Sequence, residues 1–274
     1  MPVRLMLLMV GMVASSALAG ENWPDYRGPG GDGHADAADL PLQVGRNQNV
    51  LWKTPIHGRG WSSPVVWGEQ VWLTTATEDG HEMFAICVDR QSGHILHDIK
   101  LWEIENPQFI NNLNSYASPS PVIEEGRVYL HFGTYGTVCL DTTTTTPRWT
   151  RRDINCDHIV GPGSSPVLYE DLLIFPVDGG DVQYVLALDK HSGKEAWKTT
   201  RSVDYRNLIP DFRKAFNTPL LVEADGRTQL ISAGAEAAMA YDPESGKELW
   251  RVRFNGFSSS SRPVAGGGMV LVPT

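Results

Sequence analysis

Apolar residues recur along this chain in short runs separated by turn formers. Val71-Trp72-Leu73, Val128-Tyr129-Leu130, Leu172-Leu173-Ile174 and Gln229-Leu230-Ile231 are such runs, and each predicts a β-strand. Ahead of every run comes a second apolar stretch opened by proline: Ser63-Pro64-Val65-Val66, Ser120-Pro121-Val122-Ile123, Ser165-Pro166-Val167-Leu168 and Thr218-Pro219-Leu220-Leu221. A fifth copy starts at Arg262-Pro263-Val264. Proline at the first position of a strand is where a sheet tolerates it.

After each run comes an eleven-residue segment, and the four copies align without gaps: Cys87 to His97, Cys139 to Trp149, Ala187 to Trp197 and Ala240 to Trp250. A small residue opens each, followed two later by Asp89, Asp141, Asp189 or Asp242. Four further on stand Gly93, Thr145, Gly193 and Gly246, and four beyond those His97, Trp149, Trp197 and Trp250. The pattern predicts a hairpin. Its Asp hydrogen-bonds the turn backbone, its Gly takes a positive φ, and its Trp presents a docking surface on the next strand. Each unit then holds four short strands, and four-stranded units at this period are propeller blades. The fold class expected is all-β, a partial β-propeller of about four and a half blades.

The segments at 187–197 and 240–250 resemble the tryptophan-docking motif of the pyrroloquinoline-quinone (PQQ) repeat propellers, typically eight-bladed. That family includes quinoprotein alcohol dehydrogenases and the non-enzymatic outer-membrane assembly protein BamB. Two copies depart from the motif, with His97 in the Trp slot of the first and Thr145 in the Gly slot of the second; both hairpins are expected to dock less well. The chain stops at Val270 to Thr274, halfway through a blade. Four and a half blades do not close a ring, so the expectation is a truncated reading frame, with Asn49 to Trp52 as the outer strand of the last blade.

Composition narrows the setting. The chain has 274 residues, 41% hydrophobic, with 27 Gly and 18 Pro, which suits a turn-rich β-protein. A net charge of −9 argues against capture of nucleic acid or an anionic membrane, both of which need concentrated Lys and Arg. Arg4, the apolar run Leu5 to Val13 and Ala17-Leu18-Ala19 read as a secretory signal peptide too short to span a membrane. The expected organisation is a signal peptide at 1–19, an N-terminal arm at 20–48 and the propeller at 49–274, in an exported, periplasmic or extracellular protein without a membrane span. The Gly- and Pro-rich segment Trp23 to Gly31 is expected to pack on the propeller as an irregular arm.

Candidate chemistry falls in the blade-to-blade connections at 56–62, 103–118, 153–164, 204–217 and 255–261, which the resemblance places around a central channel. Two are long for propeller turns, and long loops in compact domains tend to be functional. Arg59 with Trp61 pairs a cation with a stacking plane, Asn114 and Tyr116 offer hydrogen bonds, and Arg213 with Lys214 suits an anion. Asp157 and His158, with Asn217 and Arg262, complete the candidate ligand-binding set. Cys156, Asp157 and His158 are close enough in sequence to raise a metal site, but adjacent loop residues rarely converge on one ion and no second cluster completes a tetrahedron; no metal is expected. Cys87 and Cys139 fill the slot of Ala187 and Ala240 as small apolar residues, whereas Cys156 reads as a free thiol in a loop. No nucleophile elbow, phosphate loop or zinc-protease helix occurs.

The reading favoured is a non-catalytic cell-envelope propeller that binds a protein or glycan on its loop face and needs no cofactor. Trp61, Tyr116, Tyr205 and Phe257 are the aromatics a glycan would use. The alternative implied by the resemblance is a PQQ- and calcium-dependent dehydrogenase of alcohols or sugars. Its catalytic members carry an adjacent cysteine pair that this chain lacks.

Overall fold

The computed structural model describes residues 22–36 and 40–273; the expected signal peptide lies outside them. The first blade comprises β1 (Val65–Trp67), β2 (Gln70–Ala76), β3 (Glu82–Asp89) and β4 (Ile95–Glu103). The second holds β5 (Val122–Glu124), β6 (Arg127–His131), β7 (Thr137–Asp141) and β8 (Pro147–Arg151), and the third β9 (Val167–Tyr169), β10 (Leu172–Asp178), β11 (Gln183–Asp189) and β12 (Glu195–Thr200). The fourth holds β13 (Leu220–Ala224), β14 (Arg227–Ala233), β15 (Ala237–Tyr241) and β16 (Glu248–Arg253), and β17 (Val264–Gly266) pairs with β18 (Met269–Leu271) in a fifth sheet. All sheets are antiparallel meanders in sequence order. The two middle strands of each blade are buried, while the outermost strands β4, β12 and β16 are largely exposed. The chain forms an all-β partial propeller, as the repeats predict.

The hairpin between the third and fourth strands has the same geometry in every blade. The small residue sits directly across from the docking slot: Cys87 faces His97, Cys139 Trp149, Ala187 Trp197 and Ala240 Trp250, each time with a register shift at the next residue. Asp89 Oδ1 accepts the Ser92 amide at 2.7 Å and Asp189 Oδ1 the Ser192 amide at 2.7 Å, while Asp242 Oδ1 accepts that of Ser245 at 2.9 Å. Gly93, Gly193 and Gly246 have φ of 74°, 70° and 69°. Thr145 takes the same left-handed turn at 60°, a conformation costly for a β-branched residue.

Three docking rings reach the hairpin of the following blade, whereas Trp250 Nε1 donates to Gln229 Oε1 in its own sheet (2.8 Å). Trp52 Nε1 donates to Arg90 O (2.9 Å), Trp149 Nε1 to Lys190 O (2.9 Å) and Trp197 Nε1 to Pro243 O (3.0 Å), in each case the carbonyl just after the turn Asp. The ring lies so close to the turn glycine that a Cβ on Gly93 would sit 2.5 Å from Trp52, and one on Gly193 2.7 Å from Trp149. Two residues after each Trp, a side chain donates to the carbonyl of that glycine: Thr54 to Gly93, Arg151 to Gly193 and Thr199 to Gly246.

The two sequence departures are therefore one. His97 would dock on the Thr145 turn, so the missing Trp and the missing Gly belong to the single interface between the first and second blades. Both hairpins lack a docked indole there, while the Trp52, Trp149 and Trp197 contacts keep the regular pattern. A substitute bond remains at this interface: Trp72 Nε1 donates to Gln70 Oε1 (3.0 Å), and Gln70 Nε2 donates to Thr142 O (3.0 Å), the carbonyl a docking Trp would have used. His97 instead lies parallel to Trp72 in its own sheet, 6.1 Å between centroids.

Nearer the axis, the hydroxyl residue before each strand-opening proline ties one blade to the one before. Ser63 N donates to Ser120 Oγ (2.8 Å), Ser120 N to Ser165 Oγ (2.9 Å) and Ser165 N to Thr218 Oγ1 (3.1 Å). The residue before a proline is held extended, which fixes the direction of its hydroxyl. Asn49 to Trp52 has no strand pairing among the described residues, and Trp52 takes the docking position on the first hairpin.

Candidate ligand-binding face at the channel mouth

The connections between blades gather at one end of the sheets. The 56–62 connection is laid on the first blade by a backbone bridge, Arg59 N to Ala76 O (2.8 Å) and Ala76 N to Arg59 O (3.2 Å). The Arg59 guanidinium lies 5.0 Å from the Trp61 ring centre, in the range of a cation–π contact. Both side chains also clamp the next connection, Arg59 donating to Asn112 O and Trp61 Nε1 to Leu113 O at 3.0 Å. Trp61 keeps 54% of its surface exposed, so its ring remains open to a partner.

Asn114 and Tyr116 are placed differently. Asn114 Nδ2 donates to Val160 O (3.0 Å) and Pro162 O (3.1 Å), and its Oδ1 accepts from Ser115 N (2.8 Å) and Ser118 Oγ (2.5 Å). All four of its hydrogen-bonding positions are used in stapling two connections together. Tyr116 is buried against Gly80, its hydroxyl donating to Gln108 O (2.8 Å). Tyr205 is likewise buried and donates to Ala235 O (2.9 Å). Two of the four aromatics suited to a glycan thus present no free face.

The 153–158 segment is extended, and its residues alternate in exposure. Ile154, Cys156 and His158 point inward while Asp153, Asn155 and Asp157 face solvent, which is why Cys156, Asp157 and His158 do not converge. His158 Nε2 accepts the Thr134 amide at 2.9 Å, and its Nδ1 is 3.8 Å from Cys156 Sγ. Burial lowers the His158 pKa to about 4 and that of His131, a neighbour in the second blade, to about 3. Cys156 is not an exposed loop thiol: it is 2% exposed, and burial raises its pKa well above the ordinary thiol value. Asp157 Oδ1 accepts the Ile159 amide (3.0 Å).

In the 204–217 connection, Arg213 Nε donates to Leu208 O (2.8 Å), and its guanidinium borders a 460 Å³ cavity with Tyr184, Lys198 and Asp204. Lys214 is buried and spent on Asp211, donating to its carbonyl at 2.7 Å and to its carboxylate. Asn217 is fully buried, its Nδ2 donating to Ser259 Oγ (3.2 Å) and to Ser261 O, with its Oδ1 unpartnered. Arg262 is buried and donates through Nε to Pro219 O (2.9 Å). Beneath these loops Arg201 and Asp178 form a buried bidentate pair, Nη2 to Oδ2 at 2.6 Å and Nε to Oδ1 at 3.0 Å, with Ser232 Oγ accepting a third bond at 2.8 Å. Sequence reasoning did not find this pair, whose members are 23 residues apart and meet only through the sheet.

The structure also exposes large apolar side chains that the sequence reading passed over. Phe109, Leu113, Ile209 and Phe212 join Trp61 and Phe257 on the mouth connections, and Phe212 packs at a tilt against Phe257 with 4.3 Å between centroids. Apolar residues set among the Pro, Asn and Gly of a loop were the signal available for them. Among the described residues no three His, Cys, Asp or Glu side chains converge, and the three cysteines are buried singly.

The family described as outer membrane protein assembly factor BamB matches residues 48–200 and 181–274. Among solved structures, BamB from Moraxella catarrhalis aligns at 16% identity and a TM-score of 0.52, covering 76% of this chain and 54% of its own. A europium-containing methanol dehydrogenase aligns at 11% and 0.60, covering 86% and 49%. The quinohemoprotein alcohol dehydrogenase from Comamonas testosteroni aligns at 11% and 0.54, covering 78% and 39%. No curated protein matches by sequence. The chain spans about half the length of the first of these structures, and likeness at such identities concerns the fold.

Proposed function

The chain belongs to the PQQ-like repeat family represented by BamB, and from that premise we propose that it is a non-catalytic propeller of the cell envelope that binds a protein partner on its mouth loops. One observation carries this reading. Six large apolar side chains, Trp61, Phe109, Leu113, Ile209, Phe212 and Phe257, stay exposed on loops whose polar groups are largely spent on holding those loops in place. Pre-organised loops with apolar and aromatic tips suit protein recognition, in which aromatic anchors supply much of the binding energy. Export, and a role in outer-membrane protein assembly like that named for BamB, belong to the same proposal. Among the described residues no helix is long and apolar enough to cross a membrane.

Photo-crosslinking in the native envelope tests it. A photoreactive residue at position 109 or 257 is expected to give one protein adduct of defined mass, and the same residue at position 96, on a hairpin at the other end of the blades, none. Equal labelling from both ends removes the reading, as does alcohol oxidation by the purified gene product with PQQ and calcium.

A further inference from the structure

The segment from Asn22 to Gly33 is attached to the innermost strands, and its contacts trace a path along the axis. Trp23 exchanges two backbone bonds with Val66 of β1, N to O at 2.9 Å and O from N at 2.8 Å, and Pro24 O accepts the Ile123 amide of β5 at 2.9 Å. β1 and β5 are first strands, bonded on one side to β2 and β6, so the arm occupies the edges they turn toward the channel. Asn22 Oδ1 accepts the amide of Gly68 (2.8 Å) in the β1–β2 turn, at the end away from the mouth loops. Toward the mouth, Asp25 Oδ1 lies 3.4 Å from Nη1 of Arg262, ahead of the fifth sheet.

The local sequence builds a compact knob rather than an extended tail. Gly28 N bonds to Asp25 O (3.1 Å), Gly31 N to Gly28 O (3.0 Å) and Gly33 N to Arg27 O (2.9 Å). A Cβ on Gly28, at φ 76°, would lie 2.7 Å from the Trp23 ring, and one on Gly31, at φ 67°, 3.1 Å from the Arg262 guanidinium. Arg262 stands where the other blades carry Ser63, Ser120, Ser165 and Thr218. At that slot the chain replaces a short inter-blade hydroxyl with a long cation that reaches the arm.

We propose that residues 22–33 form an intramolecular plug of the axial channel, seated on the inner edges of the first two blades and latched to Arg262. The receptor for the arm is the pair of free strand edges, its occupant is this chain's own Trp-Pro-Asp segment, and the axis is thereby closed to a soluble ligand. The inference does not depend on the partner-binding reading of the mouth loops.

Amide hydrogen exchange on the mature protein tests it. Leu168 and Leu221 hold the same register in the third and fourth blades as Val66 and Ile123, facing Leu173 and Leu230, and serve as internal references. The Val66 and Ile123 amides are expected to exchange at least about tenfold more slowly than these two. Removing residues 22–34 is expected to erase that difference, and a synthetic 22–34 peptide to restore it at one-to-one stoichiometry. Should the deletion not fold, Gly28→Val, which drives a side chain into the Trp23 ring, is expected to accelerate Val66 and Ile123 alone. Equal rates at all four amides in the intact chain overturn the plug, as does protection of Val66 and Ile123 that persists without the arm.

Discussion

At the scale of single residues, the docking motif is a complement of shapes in which a glycine lacks the atom that an indole needs removed. Gly246 combines φ 69° with Trp197 packed against its Cα. Gly246→Ala is therefore expected to destabilise the protein by about 2–4 kcal/mol, from the turn conformation and overpacking together, read as a shift in urea midpoint. The first interface shows the same rule in reverse. His97→Trp alone should destabilise, because the Thr145 side chain stands where the ring would go, whereas His97→Trp with Thr145→Gly should gain over either single change; a double-mutant cycle reads the coupling, expected at about 1–3 kcal/mol. Sequence alignment exposed both departures, but only the structure joined them, because the ring of one blade meets the turn of the next. Cys87 and Cys139, their thiols pushed by burial up to about 12, are expected to resist a thiol reagent at pH 8 until denaturant is added.

At the scale of elements, hairpins and connections hold buried polar groups whose ionisation ties stability to pH. His131 and His158 are neutral when folded, with pKa values of about 3 and 4 because burial disfavours the charge. The unfolded chain protonates both below about 6.5. Their contribution is thus complete above that pH, erodes as the pH falls and is gone below about 3–4. Urea midpoints should drop between pH 7.5 and 5, and His158→Gln, which keeps an acceptor for the Thr134 amide, should flatten the slope. The Arg201–Asp178 pair is a second such element. Burial raises the Asp178 pKa against the pull of Arg201, so Arg201→Leu, which leaves the carboxylate alone, is expected to cost about 3–5 kcal/mol, and adding Asp178→Leu to recover much of it. Residues such as Asn114 and Lys214, which read as ligand contacts in the sequence, are shown by the hydrogen-bond geometry to staple the loops.

At the scale of the whole molecule, blades joined by indoles, hydroxyls and an axial arm present one loop-bearing end with exposed apolar tips. If that end binds a protein and no quinone, titration of the full gene product with PQQ and calcium should leave its absorbance and melting temperature unchanged, and a saturable shift in either would favour the dehydrogenase reading. The sequence alone determined the blade, its four strands, the turn Asp and Gly and the small residue facing the docking slot, because these are local and repeat at a fixed spacing. The tertiary structure alone decided which turn each indole meets, how Gln70 substitutes for a missing one, where Trp23 to Gly33 lies and which loop side chains stay free. Those outcomes depend on contacts between segments tens to hundreds of residues apart, and a periodic pattern along one chain carries no record of which face or edge of a neighbouring blade a side chain reaches.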